Sequence, residues 1–507
     1  MKARIFLTLL ISLLAVSCTD ILDVENENAY DGNTFFTTPE AYEEAATAMY
    51  SPLLMQGLYA REYYFIFDLL GNDAAKNFPL QGSLLEFPLY AHTPANGDIT
   101  NLFNSLYKMA FRTTFVLDLM EKWEPVVDDE IAEKVRISGE AHFLRGLSYF
   151  MLVTLWGDIP LKTSLDDFAE LHSGRTPVSE VWEAVEADLN EAVANLPVSY
   201  DAADLGRATK GAAVALLGKS YLYQKKYGDA ITQLSKLTSS PYDYELASSL
   251  DDIFLYDNKT KETVFAVMHA EWEGWGVGNA YYVFGGQEKW GGKATHSDRA
   301  QEYGFNDWWN VLASDALVES FNYTDESGNS YIDPRAALTF YGDGSKGGDT
   351  DYVSGEYDFA SKGRSWRKYQ RYEYMKSEGL PQSPINSQII RYADVLLMLA
   401  EAYIENGQPG NALPLINQVR ARSGAFEYSS LGSQEKARSI VRHERQMELA
   451  GEQSRFYDLV RWGILQKTIN AEKGENIVKD YHVLLPIPQA ERDANPVLDE
   501  QVKNNWN

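Results

Sequence analysis

The stretch 391–424, RYADVLLMLAEAYIENGQPGNALPLINQVRARSG, admits few folds. In its first half Ala393, Leu396, Leu397, Ala400 and Tyr403 recur at the three- and four-residue steps of a helix. In its second half Leu413, Ile416 and Val419 form another stripe. Asn406-Gly407-Gln408-Pro409-Gly410, rich in turn formers, separates the two. Each stripe needs an apolar cover, and the other stripe is the nearest one. The stretch therefore predicts two antiparallel helices joined by a tight turn.

Leu399-Ala400-x2-Tyr403, with Ala412 twelve residues after Ala400, resembles the spacing of a tetratricopeptide unit, in which small residues let paired helices approach closely. The same spacing recurs upstream as Leu217-Gly218-x2-Tyr221, with Ala230 twelve residues after Gly218. Other helical signals surround these pairs. Thr38-Pro39-Glu40 reads as a helix start, followed by helical runs at 102–122, 129–155, 209–223 and 229–237. Thr176-Pro177 opens a further helix whose inner face carries Val178, Val181, Val185, Leu189 and Val193.

Two regions break the pattern. Residues 57–101, rich in Tyr, Phe, Pro and Gly, lose helical periodicity over a length unusual for an inert connection, which marks a functional loop. Residues 253–387 replace stripes with Gly, Asp, Trp and Tyr, and hold Trp272, Trp275, Trp290, Trp308, Trp309 and Trp366 out of eleven tryptophans. Thr263-Val264-Phe265-Ala266-Val267 there reads as a strand. The expected fold is mainly α: a tetratricopeptide-like helical-repeat scaffold with a large irregular, loop-rich insertion carrying a few short strands. At 507 residues the chain exceeds what one core usually serves. The expected division is 1–17 signal peptide, 18–37 lipidated tether, 38–252 N-terminal helical part with loop 57–101, 253–387 ligand-binding insertion, and 388–507 C-terminal helical part.

Lys2 and Arg4 precede an apolar run at 5–16 that is too short for a stable span, then Ser17 and the single cysteine, Cys18. Leu14-Ala15-Val16-Ser17-Cys18 resembles a bacterial lipobox, with alanine where leucine is commonest, and predicts lipidation at Cys18. A plain signal peptide with an incidental cysteine is the alternative. A lone cysteine excludes disulfides within the chain and thiolate–zinc sites. The net charge of −28 argues against nucleic acid or an anionic membrane face as partner.

Signatures of catalysis are poor. The sequence has no HExxH, GxSxG or Walker loop, and its seven histidines form no tight cluster along the chain. The Asp/Gly stretch 343–351 resembles a calcium loop but lacks glutamate at the twelfth position. No catalytic residue, metal or cofactor is predicted. The positive signal is aromatic, because a flat indole stacks on the C–H face of a pyranose while neighbouring polar groups bond its hydroxyls. Trp272, Trp275, Trp290, Trp308 and Trp309, set among Gly and polar residues, have that character, with core packing as the alternative. Glu401, Glu444, Arg445 and Arg461 read instead as buried ion pairs that fix helix register, and Arg145, Tyr149 and Trp156 as one face of a packed helix.

The ordered set GEAHFLRGLSYFMLVTLWGDIP, RTPVSEVWEAVEADLNEAVANLP, IRYADVLLMLAEAYIENG, NQVRARSG, ERQMELAGEQSRFYDLVRWG and LLPIPQAERDANP, behind a lipobox cysteine, resembles the SusD-like (RagB/SusD) outer-membrane lipoproteins of Bacteroidetes. The likeness runs from Cys18 to about Leu498; the ending DEQVKNNWN departs from the family's usual Gln-Asn-Pro-Gly-Tyr. The resemblance implies four tetratricopeptide-like units and a lipid-anchored, surface-exposed protein at the outer membrane. It also implies capture of an oligo- or polysaccharide for a partner SusC-like TonB-dependent transporter. Loop 71–81 lies where family members contribute ligand contacts, which carries over to Asp73, Asn77, Phe78 and Gln81, with Phe78 standing in for an absent tryptophan. A peptide-binding uptake lipoprotein on the same scaffold and a surface glycoside hydrolase are the alternative functions.

Overall fold

The computed structural model describes residues 36–77, 80, 82–254, 260–269, 299–303, 309–324, 328–341, 364–369 and 385–501. The chain divides into two compact units, Met1–Glu44 and Ala45–Asn507. In the first, Thr38 Oγ1 accepts from Ala41 N at 3.3 Å, capping the helix that Pro39 opens, as that tripeptide predicts.

The described chain is mainly helical. Its principal helices are α1 (Pro39–Ala48), α2 (Glu62–Leu70), α3 (Gly97–Lys122), α4 (Asp128–Trp156), α5 (Val178–Asn195), α6 (Lys210–Tyr223), α7 (Tyr227–Leu234), α8 (Tyr392–Glu405), α9 (Pro409–Arg422), α10 (Gln434–Leu449) and α11 (Ser454–Arg461). Local chemistry sets their ends. Asn96 accepts from Asp98 N and Ile99 N at the start of α3, three acids at Asp128, Asp129 and Glu130 meet the positive end of α4, and Pro409 opens α9. Gly157, at φ +72°, stops α4.

Helices α3 to α7 pack each on the next, and α8 packs on both α9 and α10. The pairs α6–α7 and α8–α9 stand where the recurring spacing predicts them. Gly218 lets α6 and α7 close up: a Cβ there would lie 2.6 Å from the Leu234 side chain. Gly146 does the same between α4 and Leu189 of α5, at 2.9 Å. The closing segment caps this layer, with Trp156 Nε1 donating to the Pro486 carbonyl at 2.9 Å and Leu485 N to the Leu155 carbonyl at 2.7 Å. Tyr149 and Trp156 are fully buried, while Arg145 forms a bidentate pair with Asp188 at 2.7 and 2.9 Å.

The described strands form three two-stranded antiparallel pieces: β1 (Ala74–Lys76) with β3 (Val311–Ala313), β2 (Thr263–Val267) with β6 (Ser387–Arg391), and β4 (Asn322–Thr324) with β5 (Ser330–Ile332). The β2 strand occupies the run read as a strand.

Region 57–101 is not the continuous loop its lost periodicity implies. It contains α2, all nine residues of which are buried, and α3 begins at Gly97 rather than 102. A helix enclosed on every side has no polar face, so it shows no amphipathic period.

Buried charges tie the described insertion residues to the C-terminal helices. Arg335, wholly buried, bonds Asp333 at 2.7 Å, Glu444 at 2.6 Å and Glu448 at 3.1 Å. Arg391 reaches Glu262, Glu448 and Glu452 at 2.6–2.7 Å, Arg422 pairs with Glu262 and Glu448, and Lys368 meets Glu452 at 2.6 Å. Arg445 bridges Asp394 and Asp458, both at 2.8 Å, and Arg461 pairs with Glu401 and Asp458. Glu401, Glu444, Arg445 and Arg461 are thus the register-fixing pairs the sequence predicts. Trp462 is half-buried and donates to Glu401 at 2.8 Å.

Candidate functional site

The β1/β3 ribbon joins the two regions from which a ligand face is expected. Its register sets Ala74 against Ala313 and Lys76 against Val311. At its end Asn77 N donates to the Asn310 carbonyl and Asn77 Nδ2 to the Trp309 carbonyl, each at 2.9 Å, across 232 residues of chain in the second case. Asn77 and Trp309 are half-buried. Trp309 sits at φ +47°, a left-handed conformation that costs a residue with a Cβ about 1–2 kcal/mol and persists only where its surroundings hold it.

Those surroundings are a base of buried polar contacts. Asn310 N donates to the Glu302 carbonyl at 2.7 Å, its side-chain amide donates to the Glu302 carboxylate, and Arg61 Nε donates to the same carboxylate at 2.6 Å. The short helix Arg299–Tyr303 is pinned on α2: Arg299 bonds Asp68 at 2.9 Å, the Tyr303 hydroxyl donates to Asp68 at 3.0 Å, and Gln453 Nε2 donates to Asp68 at 3.0 Å. The Arg299 guanidinium also lies 4.1 Å from the centre of the Tyr369 ring and donates to the Gly451 carbonyl at 2.7 Å. Gly451 has φ +70°, and a Cβ there would fall 2.6 Å from the Trp366 ring, so no other residue fits. Trp366, one of the six tryptophans of the insertion, is 1% exposed and belongs to this base rather than to a surface.

Asp73 lies in the base as well. It is 2% exposed, its carbonyl accepts from Ser314 N at 2.9 Å, and its carboxylate accepts from Gly451 N at 3.4 Å. Burial pushes its carboxyl up to about 7. Burial likewise raises Asp68 against the opposing pull of Arg299, and Glu302 against that of Arg61. Of the residues expected at the site, the structure brings Asn77 and Trp309 together and sets Asp73 beneath them, facing inward. Phe78, Gln81, Trp272, Trp275, Trp290, Trp308 and Cys18 lie outside the described residues, as does the 343–351 stretch.

The supporting residues were not legible as a set. Arg61, Asp68, Arg299, Glu302 and Asn310 meet across more than two hundred residues, with no spacing to announce it. Nor does the sequence foretell that His92 and His482 pack with ring centres 5.4 Å apart and planes tilted by 41°. Burial holds both neutral, lowering His92 to about 3 and His482 to about 4. Among the described residues no group of three or more His, Cys, Asp or Glu side chains is placed to hold a metal ion, and no helix is long and apolar enough to cross a membrane. The arrangement is a ribbon end, or lip, anchored on buried polar contacts, with the Asn77 amide bonded to the Trp309 backbone.

Comparison with known proteins covers nearly the whole chain. The model of the SusD family matches residues 261–506, and a second, described as starch-binding associating with outer membrane, matches residues 20–222. A SusD-like protein of Formosa agariphila is 25% identical over 538 residues, covering 96% of each chain. Starch-binding protein SusD of Bacteroides thetaiotaomicron is 26% identical over 416 residues, 72% of each chain. The solved structure of a laminarin-binding SusD-like protein, 25% identical, superposes with a TM-score of 0.69 over 90% of this chain and 97% of that one.

Proposed function

This chain belongs to the SusD-like family, and on that footing we propose that it captures an oligo- or polysaccharide at the outer membrane without cleaving it and delivers it to a SusC-like TonB-dependent transporter. The observation that carries this reading is the meeting of Asn77 and Trp309 at the end of the β1/β3 ribbon, where the Asn77 amide donates to the Trp309 carbonyl and so fixes the backbone of a residue whose indole could stack on a sugar. The named activities of the starch- and laminarin-binding relatives support a glycan as the ligand. Phe78, Gln81, Trp272, Trp275, Trp290 and Trp308 are proposed to extend the same face, and Asp73 to keep the loop in place from below. Cys18 carries the lipid that holds the protein at the cell surface. A tethered binder needs a separate pore, which the transporter supplies.

Affinity electrophoresis and calorimetry of the purified protein with laminarin and starch test the reading, with thin-layer analysis of the glycan afterwards. Binding at roughly micromolar to millimolar dissociation constants with the glycan left intact is expected. Shortened products lost on one carboxylate substitution would establish the hydrolase instead, and binding of peptides but no glycan the peptide carrier. Cys18→Ala is expected to release the protein from membranes, and pull-down from mildly solubilised outer membranes to recover a barrel in equal amount.

A further inference from the structure

Beside the ribbon lies a groove of about 510 Å³ whose floor is Phe321, Phe340 and Tyr341 and whose rim includes Ile332, 69% exposed. The floor is firm: Phe321 and Phe340 meet edge to face at 5.2 Å, and Tyr341 N donates to the Ser365 carbonyl at 2.9 Å. The ribbon leads to it directly, since Ala313 N at the end of β3 donates to the Arg364 carbonyl at 3.0 Å. Trp309 to Ala313 is at most about 14 Å of extended chain, so the groove and the proposed glycan site are neighbours.

Its charge is out of keeping with the rest of the chain. The protein carries 73 acidic against 45 basic residues, yet the described lining of this groove has two arginines and no acid. Arg367 is answered by Asp251, in a bidentate pair at 2.7 and 2.9 Å. Arg364, half-buried, has no hydrogen-bonding or ion-pair partner for its guanidinium among the described residues. A ligand filling the groove takes water from that guanidinium and must return an acceptor, since a cation left unbonded on desolvation opposes binding. A flat guanidinium fork is matched best by a carboxylate accepting two parallel hydrogen bonds, and the apolar wall of Val318, Ile332 and Ala336 suits the C–H face of a sugar.

We propose that this groove binds a uronic-acid unit of the glycan, with its carboxylate on Arg364 and its apolar C–H face against the wall of Val318, Ile332 and Ala336. The inference rests on the glycan-binding reading above and adds a preference for acidic sugars to it.

Calorimetry on the purified protein with oligogalacturonate and alginate fragments, each against its carboxyl-reduced neutral counterpart, provides the test. The wild type is expected to bind at least one uronate about tenfold more tightly than its neutral counterpart. The preference should narrow as ionic strength rises to about 1 M. Arg364→Gln should abolish the preference without lowering the melting temperature, and Arg364→Lys should restore part of it. Equal affinity for all acidic and neutral pairs, or a preference that survives in Arg364→Gln, overturns the inference while leaving glycan binding in place. Tighter binding of a sulfated oligosaccharide than of either uronate overturns the assignment to a carboxylate. If laminarin, starch and every uronate all fail to bind, the glycan-binding reading falls and this inference with it.

Discussion

Two groups of buried carboxylates lie within this protein, and their protons are held in opposite ways. Along the seam between insertion and C-terminal helices, Glu448 touches Arg335, Arg391 and Arg422, Glu452 touches Arg391 and Lys368, and Asp458 touches Arg445 and Arg461. Burial alone would raise all three, yet the surrounding cations outweigh it and hold them below their ordinary range. Under the candidate site, among the described residues, Asp68 and Glu302 touch one arginine each and the Asp73 carboxylate accepts only from Gly451, and burial wins at all three. Depth is the same in both places. Among these six, two or three cations in contact outweigh burial and one or none does not, which separates a seam that locks the fold from a base that a proton can loosen or ease.

The largest test breaks the seam. Glu448→Ala leaves Arg335, Arg391 and Arg422 short of an acceptor in a wholly buried place, and is expected to remove about 3–5 kcal/mol of stability in urea unfolding. Arginine does not release its proton at any ordinary pH, so the deficit should be the same at pH 5 and pH 7.5. A loss under about 1 kcal/mol would mean that the seam repacks and that counting its cations says little.

The next test does the same to the base. Arg299→Met takes away the single cation on Asp68 and is expected to cost about 2 kcal/mol at pH 7.5. Here the orphan can neutralise itself, because burial already raises the Asp68 carboxyl. The deficit should therefore shrink at pH 5, leaving the lost stacking on Tyr369. A deficit independent of pH would erase the distinction between the two regions.

A third test works on Asp73 alone. Its folded value of about 7 lies above the unfolded value of about 4, so the folded state holds the proton more tightly and stability falls as pH rises through that window. Asp73→Asn cannot ionise, and its amide oxygen can still accept from Gly451. The variant is expected to match the wild type near pH 4 and to exceed it increasingly as pH rises to 8, read from melting curves across pH. Destabilisation at pH 8 would show that the ionised carboxylate has a partner that the Gly451 contact does not explain.

The same division governs how much was legible beforehand. Amphipathic helices announced themselves: α8 and α9, with Pro409 opening the second, and α5 with Val181, Val185 and Leu189 buried on one face, stand where their stripes place them. The β2 strand, Thr263–Val267, was visible through its β-branched and aromatic run. Burial on all sides hid α2, and β1 is three residues of Ala-Ala-Lys with no strand propensity, ordered by pairing with a partner far along the chain. For the site, Asn77 came from family likeness and Trp309 from aromatic density, but nothing along the chain could bring them together. That contact depends on Arg61, Asp68, Arg299 and Glu302 holding the segment beneath them.

The smallest expected effect bears on whether the base serves the lip or merely fills space. Asn77 and Trp309 are half-buried, and the ribbon's last backbone bond, from Asn77 N to the Asn310 carbonyl, uses neither side chain, so side-chain removal should leave the ribbon standing. Trp309→Ala removes a stacking surface worth about 0.5–1.5 kcal/mol beyond its buried area, which corresponds to a loss in glycan affinity of about two- to tenfold. Asn77→Ala deletes the amide bond to the Trp309 carbonyl and frees the lip to move, so it should weaken glycan binding by a few-fold while leaving urea unfolding unchanged within about 0.5 kcal/mol. The double variant is the sharper measurement. If the amide acts by placing the ring, its effect must vanish once the ring is gone, and Asn77→Ala in the Trp309→Ala background should change affinity no further. Additive losses would mean that each side chain touches the glycan separately. Loss of stability with affinity preserved in the folded fraction would make both residues part of the base, with the lip formed elsewhere along the insertion.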